Sequence, residues 1–110
     1  MQVDYISVAP AWARSRSRRK LERRLGAAGV CALVDLWLSV AAEHPSGDLL
    51  GYKASDLAKD AGWAGDVKQF ERDLLDTGFI ERLEGGGYHL VHVLNADGVM
   101  CFGRSREELA

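Results

Sequence analysis

The residues with the clearest capacity for chemistry form a basic stretch at positions 14–26, R-S-R-S-R-R-K-L-E-R-R-L-G. Seven arginine and lysine side chains fall within residues 14–24, and Glu22 is the single acid among them. Guanidinium and ammonium groups bind phosphates and carboxylates through charge-assisted hydrogen bonds. The stretch therefore predicts an element that binds a polyanion, either as an unfolded arm or as a folded helix.

The leucines of this stretch favour a helix over residues 16–25. Leu21 and Leu25 are four residues apart and share one side of a helix, and Gly26 is a typical C-terminal stop. Like charges on one helix face repel each other, so we expect a partner to cover the cations. We favour phosphate, and an acidic protein or a merely solvated surface are the alternatives. The candidate phosphate-binding residues are Arg14 in the lead-in and Arg16, Arg19, Lys20, Arg23 and Arg24 on the side of the helix opposite the leucines.

Residues typical of enzymes and metal sites do not form a recognisable motif. His89 and His92 are three apart in a predicted strand and so point to opposite faces, and His44 has no acid at ligand spacing. Cys31 and Cys101 lie outside any C-x-x-C pair, and glycine-rich phosphate loops and metalloprotease motifs are absent. We therefore expect no catalysis, no cofactor and no metal, and we expect Cys31 to be a buried apolar side chain.

Length and charge limit the class of protein. A chain of 110 residues with 47% hydrophobic residues suits one small domain. No run of 18 apolar residues occurs, and the basic stretch lacks the apolar region of a secretory signal, so we expect an intracellular protein without membrane contact. The net charge of -2 divides into +5 for residues 1–26 and -7 for residues 27–110. This asymmetry predicts a surface that faces a polyanion or an acidic partner.

Periodicity and turn residues predict the elements around the basic helix. Residues 5–8 and 49–52 read as short strands, and residues 53–61 and 67–77 as helices. Asp66 is placed to cap the second of these helices, with Gln69 at its third position. Residues 79–84 and 88–94 read as a hairpin joined by three glycines. We expect a lead-in over residues 1–13, a domain over residues 14–94 and a tail over residues 95–110.

Residues 27–43 predict a helix that is apolar on almost every side, with Asp35 as its only charge before Glu43. Such a helix is either central to the core or covered by another subunit. Trp37 belongs to the larger apolar stripe, and Leu36 and Val40 form a second one. We expect a central core helix, with Leu36 and Val40 as the candidate homodimer interface in the alternative.

The predicted order is strand, helix, helix, short strand, helix, tight turn, helix and hairpin. It is typical of a winged helix-turn-helix, a mainly helical α+β fold with a small β-hairpin wing. In this order the helix over residues 67–77 is the expected DNA-reading helix. Its outward projection contains Lys68, Gln69, Arg72, Asp73 and Asp76.

Specific motifs follow the same order along the chain. They are L-x-x-x-L-G at 21–26, L-V-D-L-W at 33–37, G-D-L at 47–49, D-L-A-K-D-A-G-W-A-G-D at 56–66, F-x-x-x-L-L-D-T-G-F-I at 70–80 and L-V-H at 90–92. Together they resemble the N-terminal winged-helix domain of phage replisome organisers and DnaD-like replication initiation proteins, over about residues 5–94. The resemblance implies a helper of replication initiation in the cytoplasm of a bacterial or phage-infected cell. It also implies binding to origin DNA, self-association, or both.

The charges of the expected DNA-reading helix partly favour and partly oppose DNA binding. Arginine and lysine suit guanine and phosphate, and glutamine suits adenine, so Lys68, Gln69 and Arg72 are the candidate contacts. Residues 66–77 nevertheless contain four acids and two bases, a net charge of -2 that opposes approach to DNA. The predicted wing adds only Arg82 and His89, and it also carries acids.

These observations lead to two predicted functions. The first is a protein that binds double-stranded DNA and serves replication initiation or transcriptional regulation, since both processes use this fold. Helix 16–25 would then supply most of the affinity. The second is a homodimerising winged-helix module that docks on replication or host proteins without binding DNA.

Overall fold

The computed structural model describes Trp12, residues 14–44 and residues 47–91. Its elements are α1 (Arg16–Glu43), β1 (Asp48–Leu50), α2 (Ala54–Ala61), α3 (Val67–Asp76), β2 (Ile80–Arg82) and β3 (Gly87–Leu90). The expected mainly helical α+β class is confirmed, with three helices and a small antiparallel sheet in the described part of the chain. The predicted strand at 5–8, His92, Cys101 and the tail at 95–110 lie outside the described residues.

Helix α1 consists of two segments that meet at Gly26. Its N-terminus is capped by Ser15, whose hydroxyl accepts a hydrogen bond from the backbone N–H of Arg18 at 3.2 Å. Gly26 has φ 75° and ψ -175°, a conformation that is non-helical and open essentially to glycine alone. The predicted helix end at Gly26 and the start of a separate apolar helix after it are therefore confirmed.

The second segment of α1 lies at the centre of the core. Leu33, Leu36, Trp37 and Val40 are fully buried, and the Trp37 ring meets the Phe79 ring edge-on at 6.1 Å between centroids. The hypothesis of a dimer interface at Leu36 and Val40 is wrong, because both side chains are covered by the same chain and offer no surface to a second copy. The expectation of a central core helix is confirmed.

Two further features of α1 correct or limit the sequence analysis. Cys31 is exposed, not buried, because it lies on the outer side of the helix together with Leu38, which is 45% exposed. By length and composition alone α1 is also apolar enough to cross a membrane. The core helix of a globular domain passes the same test, and here the side chains of Leu33 and Trp37 are buried inside the fold.

A tight turn joins α2 to α3, and its geometry is set by local hydrogen bonds. The carboxylate of Asp66 accepts the backbone N–H of Gln69 at 2.9 Å, which confirms the predicted cap of α3. The Trp63 ring stacks on Phe70 with 5.2 Å between centroids, and its Nε1–H donates to the carbonyl of Asp66 at 3.2 Å. Gly62 ends α2 in the left-handed region with φ 68°. The turn therefore holds α2 and α3 in one fixed arrangement.

The sheet has the strand order β1-β3-β2, with both neighbouring pairs antiparallel. The predicted hairpin is confirmed, although β2 and β3 are both shorter than the strands predicted over residues 79–84 and 88–94. Gly87 has φ 97°, and a Cβ atom there would lie 2.1 Å from the carbonyl oxygen of Leu49. Glycine is thus required at this position both for its backbone conformation and for the close approach of β1.

Candidate nucleic-acid interface

The seven cations of the basic stretch divide into two that make ion pairs in the folded chain and five that make none among the described residues. Arg18 lies over the Trp12 ring, 5.5 Å from its centroid, and pairs with Glu22 at 3.6 Å. Arg24 reaches towards α3. The other five have no ion pair within the described residues, and all but the half-buried Lys20 are exposed: Arg14, Arg16, Arg19, Lys20 and Arg23. Most of the predicted basic face is therefore unpaired there.

Arg24 forms a clamp between α1 and the last turns of α3. Its Nη1 donates to Asp73 Oδ1 at 3.0 Å and to Asp76 Oδ2 at 2.7 Å. The hydrogen bonds to Asp76 and then to Asp73 raise the pKa of Arg24 above its ordinary value. The Asp73 side chain is only 5% exposed, whereas that of Asp76 is 48% exposed.

This clamp corrects two parts of the sequence analysis. Asp73 does not lie on the solvent face of α3, because α1 covers it and supplies its partner. Arg24 does not belong to the free basic face, because its charge is already paired with two carboxylates. A helical projection of one segment cannot show this pairing, because Asp73 and Asp76 are 49 and 52 positions away from Arg24 along the chain.

The remaining acids of residues 66–77 also have partners inside the chain. Asp66 caps α3, and the carboxylate of Glu71 accepts the hydroxyl hydrogen of Tyr88 and pairs with Arg82 at 3.4 Å. Burial, and then the hydrogen bond to Glu71, raise the pKa of Tyr88 to about 12. All four acids that give this segment its negative formal charge are thus engaged by other groups of the protein.

The cations of α3 differ from its acids. Lys68 and Arg72 are exposed one helical turn apart, and neither makes an ion pair in the part of the chain that the structure describes. At 1.5 Å per residue they are separated by about 6 Å along the axis. Gln69 is half-buried, so it contributes less surface than its projection predicts. The exposed line of α3 consists of Lys68, Arg72 and Asp76.

An open cleft joins this line to the basic face of α1. Its volume is about 250 Å³, and its lining is Arg16, Ser17, Lys20, Arg23, Asp76 and Thr77. The first turns of α1 thus face the C-terminal end of α3. We call this concavity the α1–α3 cleft. The sequence alone does not reveal this cleft, because its two walls are distant along the chain and no motif links them.

The hairpin contributes little free positive charge. The side chain of Arg82 is 64% exposed, but it pairs with Glu71 and lies 6.0 Å from the centroid of the Tyr88 ring. His89 is 1% exposed, and its Nδ1 is 2.7 Å from Asp48 Oδ1 on the neighbouring strand. The expectation that His89 lies on the wing surface is wrong, because the side chain is buried and the register of β1 with β3 pairs it with Asp48.

A second polar cluster joins the end of α1 to α2. The Tyr52 hydroxyl donates to Asp60 Oδ2 at 2.6 Å and lies 3.3 Å from His44 Nε2. Burial, and then Asp60, raise the pKa of Tyr52 above its ordinary value. Across the described residues no group of three or more histidine, cysteine, aspartate or glutamate side chains could hold a metal ion. We interpret the Tyr52 cluster as structural.

Comparison of the chain with protein-family models, curated proteins and solved structures finds no significant match. The resemblance to replisome organisers thus stays a prediction that depends on the motifs alone. The surface that α1 and α3 form is the structural feature that bears on function.

Proposed function

We propose that this protein binds double-stranded DNA through α3 and the basic face of α1, as a winged helix-turn-helix. The element order α1-β1-α2-α3-β2-β3, with sheet order β1-β3-β2, supports this proposal. In such a fold α2 and α3 are the helix-turn-helix pair, and the β2–β3 hairpin is the wing. The second helix of the pair enters the major groove.

The pairing of charges around α3 carries the proposal. Each acid of residues 66–77 has an intramolecular partner, whereas Lys68 and Arg72 remain exposed and unpaired among the described residues. The formal charge of the segment therefore understates its attraction for DNA. An exposed arginine and lysine one turn apart can reach base edges or phosphates.

The basic face of α1 supplies the larger share of the proposed affinity. With Arg24 engaged by α3, the cations left on this face are Arg16, Arg19, Lys20 and Arg23. Each cation that neutralises a phosphate releases counterions from the DNA, and this release favours binding at low salt. Together with the motif resemblance, this surface favours a role in replication initiation in a bacterial cytoplasm. Transcriptional regulation would use the same contacts.

A salt titration of binding to a duplex tests the proposal. If four α1 cations neutralise phosphates, log K should fall with log salt at a slope of about -3.6, and Arg19→Ala should reduce that slope by about one. Circular dichroism of the variant would confirm that it is folded. Absence of measurable binding to any duplex at low salt would overturn the proposal.

Sequence preference requires a separate experiment on α3. Gln69→Ala should relax the preference among duplexes and leave the salt slope unchanged, because the glutamine side chain carries no charge. Arg19→Ala on α1 is the matched control, since loss of a phosphate contact weakens binding to all sequences alike. Uniform weakening by Gln69→Ala would contradict base recognition by this residue.

The alternative function, a homodimerising interaction module, would use the outer side of α1. Leu38 is exposed there, whereas Leu36 and Val40 are not available. Sedimentation of the wild type and of Leu38→Glu separates the alternatives. A dimer that Leu38→Glu dissociates, in a protein that binds no duplex, would favour the interaction module.

A further inference from the structure

We infer that the α1–α3 cleft is a binding site for a doubly charged phosphate group, separate from the Lys68 and Arg72 surface. The inference goes beyond the proposed duplex binding and does not require it. Its ligand is defined by chemistry: a terminal phosphate on a nucleic acid and a free phosphate compound present the same group. A comparison of duplexes with and without a 5′-phosphate distinguishes these two sources.

The cations of the cleft converge on one small volume. Arg16, Lys20 and Arg23 lie at positions i, i+4 and i+7, which is one side of a helix, and all three line the same concavity. Ser17 adds a hydroxyl to the same wall. None of the three cations makes an ion pair with another described residue, so their charges are not used within that part of the fold.

The shape of the cleft favours a compact anion with high charge. Pockets for drug-sized ligands measure about 300–1,000 Å³, and this cleft is smaller, at about 250 Å³. A phosphate monoester carries about -1.5 to -2 charges and three strong acceptor oxygens at neutral pH. A phosphodiester in a duplex carries one charge, so three converging cations suit the monoester better.

The opposite wall of the cleft is less favourable to an anion. Asp76 lies on it, and the C-terminal end of α3 carries a partial negative charge. Arg24 offsets the first of these effects, because its Nη1 holds Asp76 Oδ2 at 2.7 Å. The offset is incomplete, because Arg24 shares its single charge with Asp73. Removal of the Asp76 charge should therefore strengthen phosphate binding, with Asp76→Asn as the variant that keeps the shape of the side chain.

Calorimetric titration of the full chain with inorganic phosphate, at constant ionic strength and with sodium chloride as the reference, tests the site. Lys20→Ala and Arg23→Ala should each weaken phosphate binding by about tenfold or more, since each removes a charged hydrogen-bond donor. Arg19→Ala is the matched control, because Arg19 is exposed on the same helix but does not line the cleft. Its effect should stay within about twofold, and circular dichroism would verify the fold of each variant.

Two results would overturn the inference. They are absence of phosphate binding by the wild type, and equal losses in Lys20→Ala and Arg19→Ala. Where the site is present, a 5′-phosphorylated duplex that binds more tightly than its 5′-hydroxyl counterpart, and loses this advantage in Lys20→Ala, assigns the site to nucleic-acid ends. Equal binding of the two duplexes assigns it to free phosphate compounds.

The same measurements separate this inference from the proposed function. Duplex binding without any phosphate site would overturn the inference and leave the proposed function intact. Phosphate binding without duplex binding would overturn the proposed function and leave the inference intact. Arg72→Ala should lower duplex affinity and leave the phosphate titration unchanged, because Arg72 is not part of the cleft.

Discussion

The role of the Arg24 charge in DNA binding can be tested directly, because an indirect role and a direct phosphate contact predict different results. In the structure its guanidinium pairs with Asp73 and Asp76. On this basis Arg24 aids DNA binding indirectly, since its positive charge offsets part of the negative charge of two acids of α3. If Arg24 instead contacted a DNA phosphate, its own loss would remove one phosphate contact.

The expected magnitude follows from the one positive charge that Arg24→Gln removes beside Asp73 and Asp76. In water a unit charge repels a phosphate about 7 Å away by roughly 0.6 kcal/mol, which is about a threefold change in Kd. The loss of this one compensating charge should therefore weaken duplex binding by roughly threefold at low salt, and by less as salt screens the acids. Asp73 is buried and should be screened less than the half-exposed Asp76.

Rescue by neutral partners decides between the explanations. The triple variant Arg24→Gln, Asp73→Asn, Asp76→Asn loses two acids and one cation, so this position becomes one charge more positive than in the wild type. Its duplex affinity should therefore equal or exceed that of the wild type. Fluorescence anisotropy at several salt concentrations measures both Kd and the salt slope, and thermal melting monitors the fold. A triple variant that stays weak, with a slope reduced by about 0.9, would refute the clamp and assign Arg24 to a phosphate contact.

Three further predictions concern the fold that positions this surface. Trp37→Ala should lower the free energy of unfolding by about 3–5 kcal/mol in urea denaturation, because a fully buried ring is removed, and a smaller loss would place the ring outside the core. Gly87→Ala should destabilise the sheet by about 1–3 kcal/mol or more, whereas Gly85→Ala, with open space around it, should be nearly neutral in the same assay. Tyr88 should ionise near pH 12 in an ultraviolet titration, and Glu71→Gln should lower that pKa. Because the unfolded chain releases this phenolic proton near pH 10, native stability should fall as pH rises from about 10 to about 12, and a flat profile would contradict the raised pKa.

The secondary structure was accessible from the sequence because its main signals are local. Gly26 ends the first segment of α1 through its own backbone conformation, and Asp66 caps α3 through a residue three positions away. The hairpin follows in the same way from adjacent glycines. Each of these signals acts within a few residues, so a single sequence contains it.

The candidate site was only partly accessible, because its charges are set by contacts between distant segments. The sequence identifies the cations of α1 and the exposed Lys68 and Arg72. It does not reveal that Asp73 is buried beneath Arg24, since the two residues are 49 positions apart. The exposure of Cys31 and the burial of His89 were predicted wrongly for a related reason. The exposure of a side chain depends on which side of its helix or strand the rest of the fold covers.

The acids of α3 and the cations of α1 are best understood together. Taken alone, α3 appears too acidic to approach DNA, and the basic stretch appears to be a loose arm. In the fold, Asp73 and Asp76 hold α1 through Arg24, and this contact fixes the direction in which Arg16, Lys20 and Arg23 face. The same carboxylates that oppose DNA by their charge therefore orient the cations proposed to bind it. Affinity for phosphate should accordingly depend on the packing of α1 against α3, and an isolated peptide of residues 14–26 should lose the specificity of the cleft while keeping its charge.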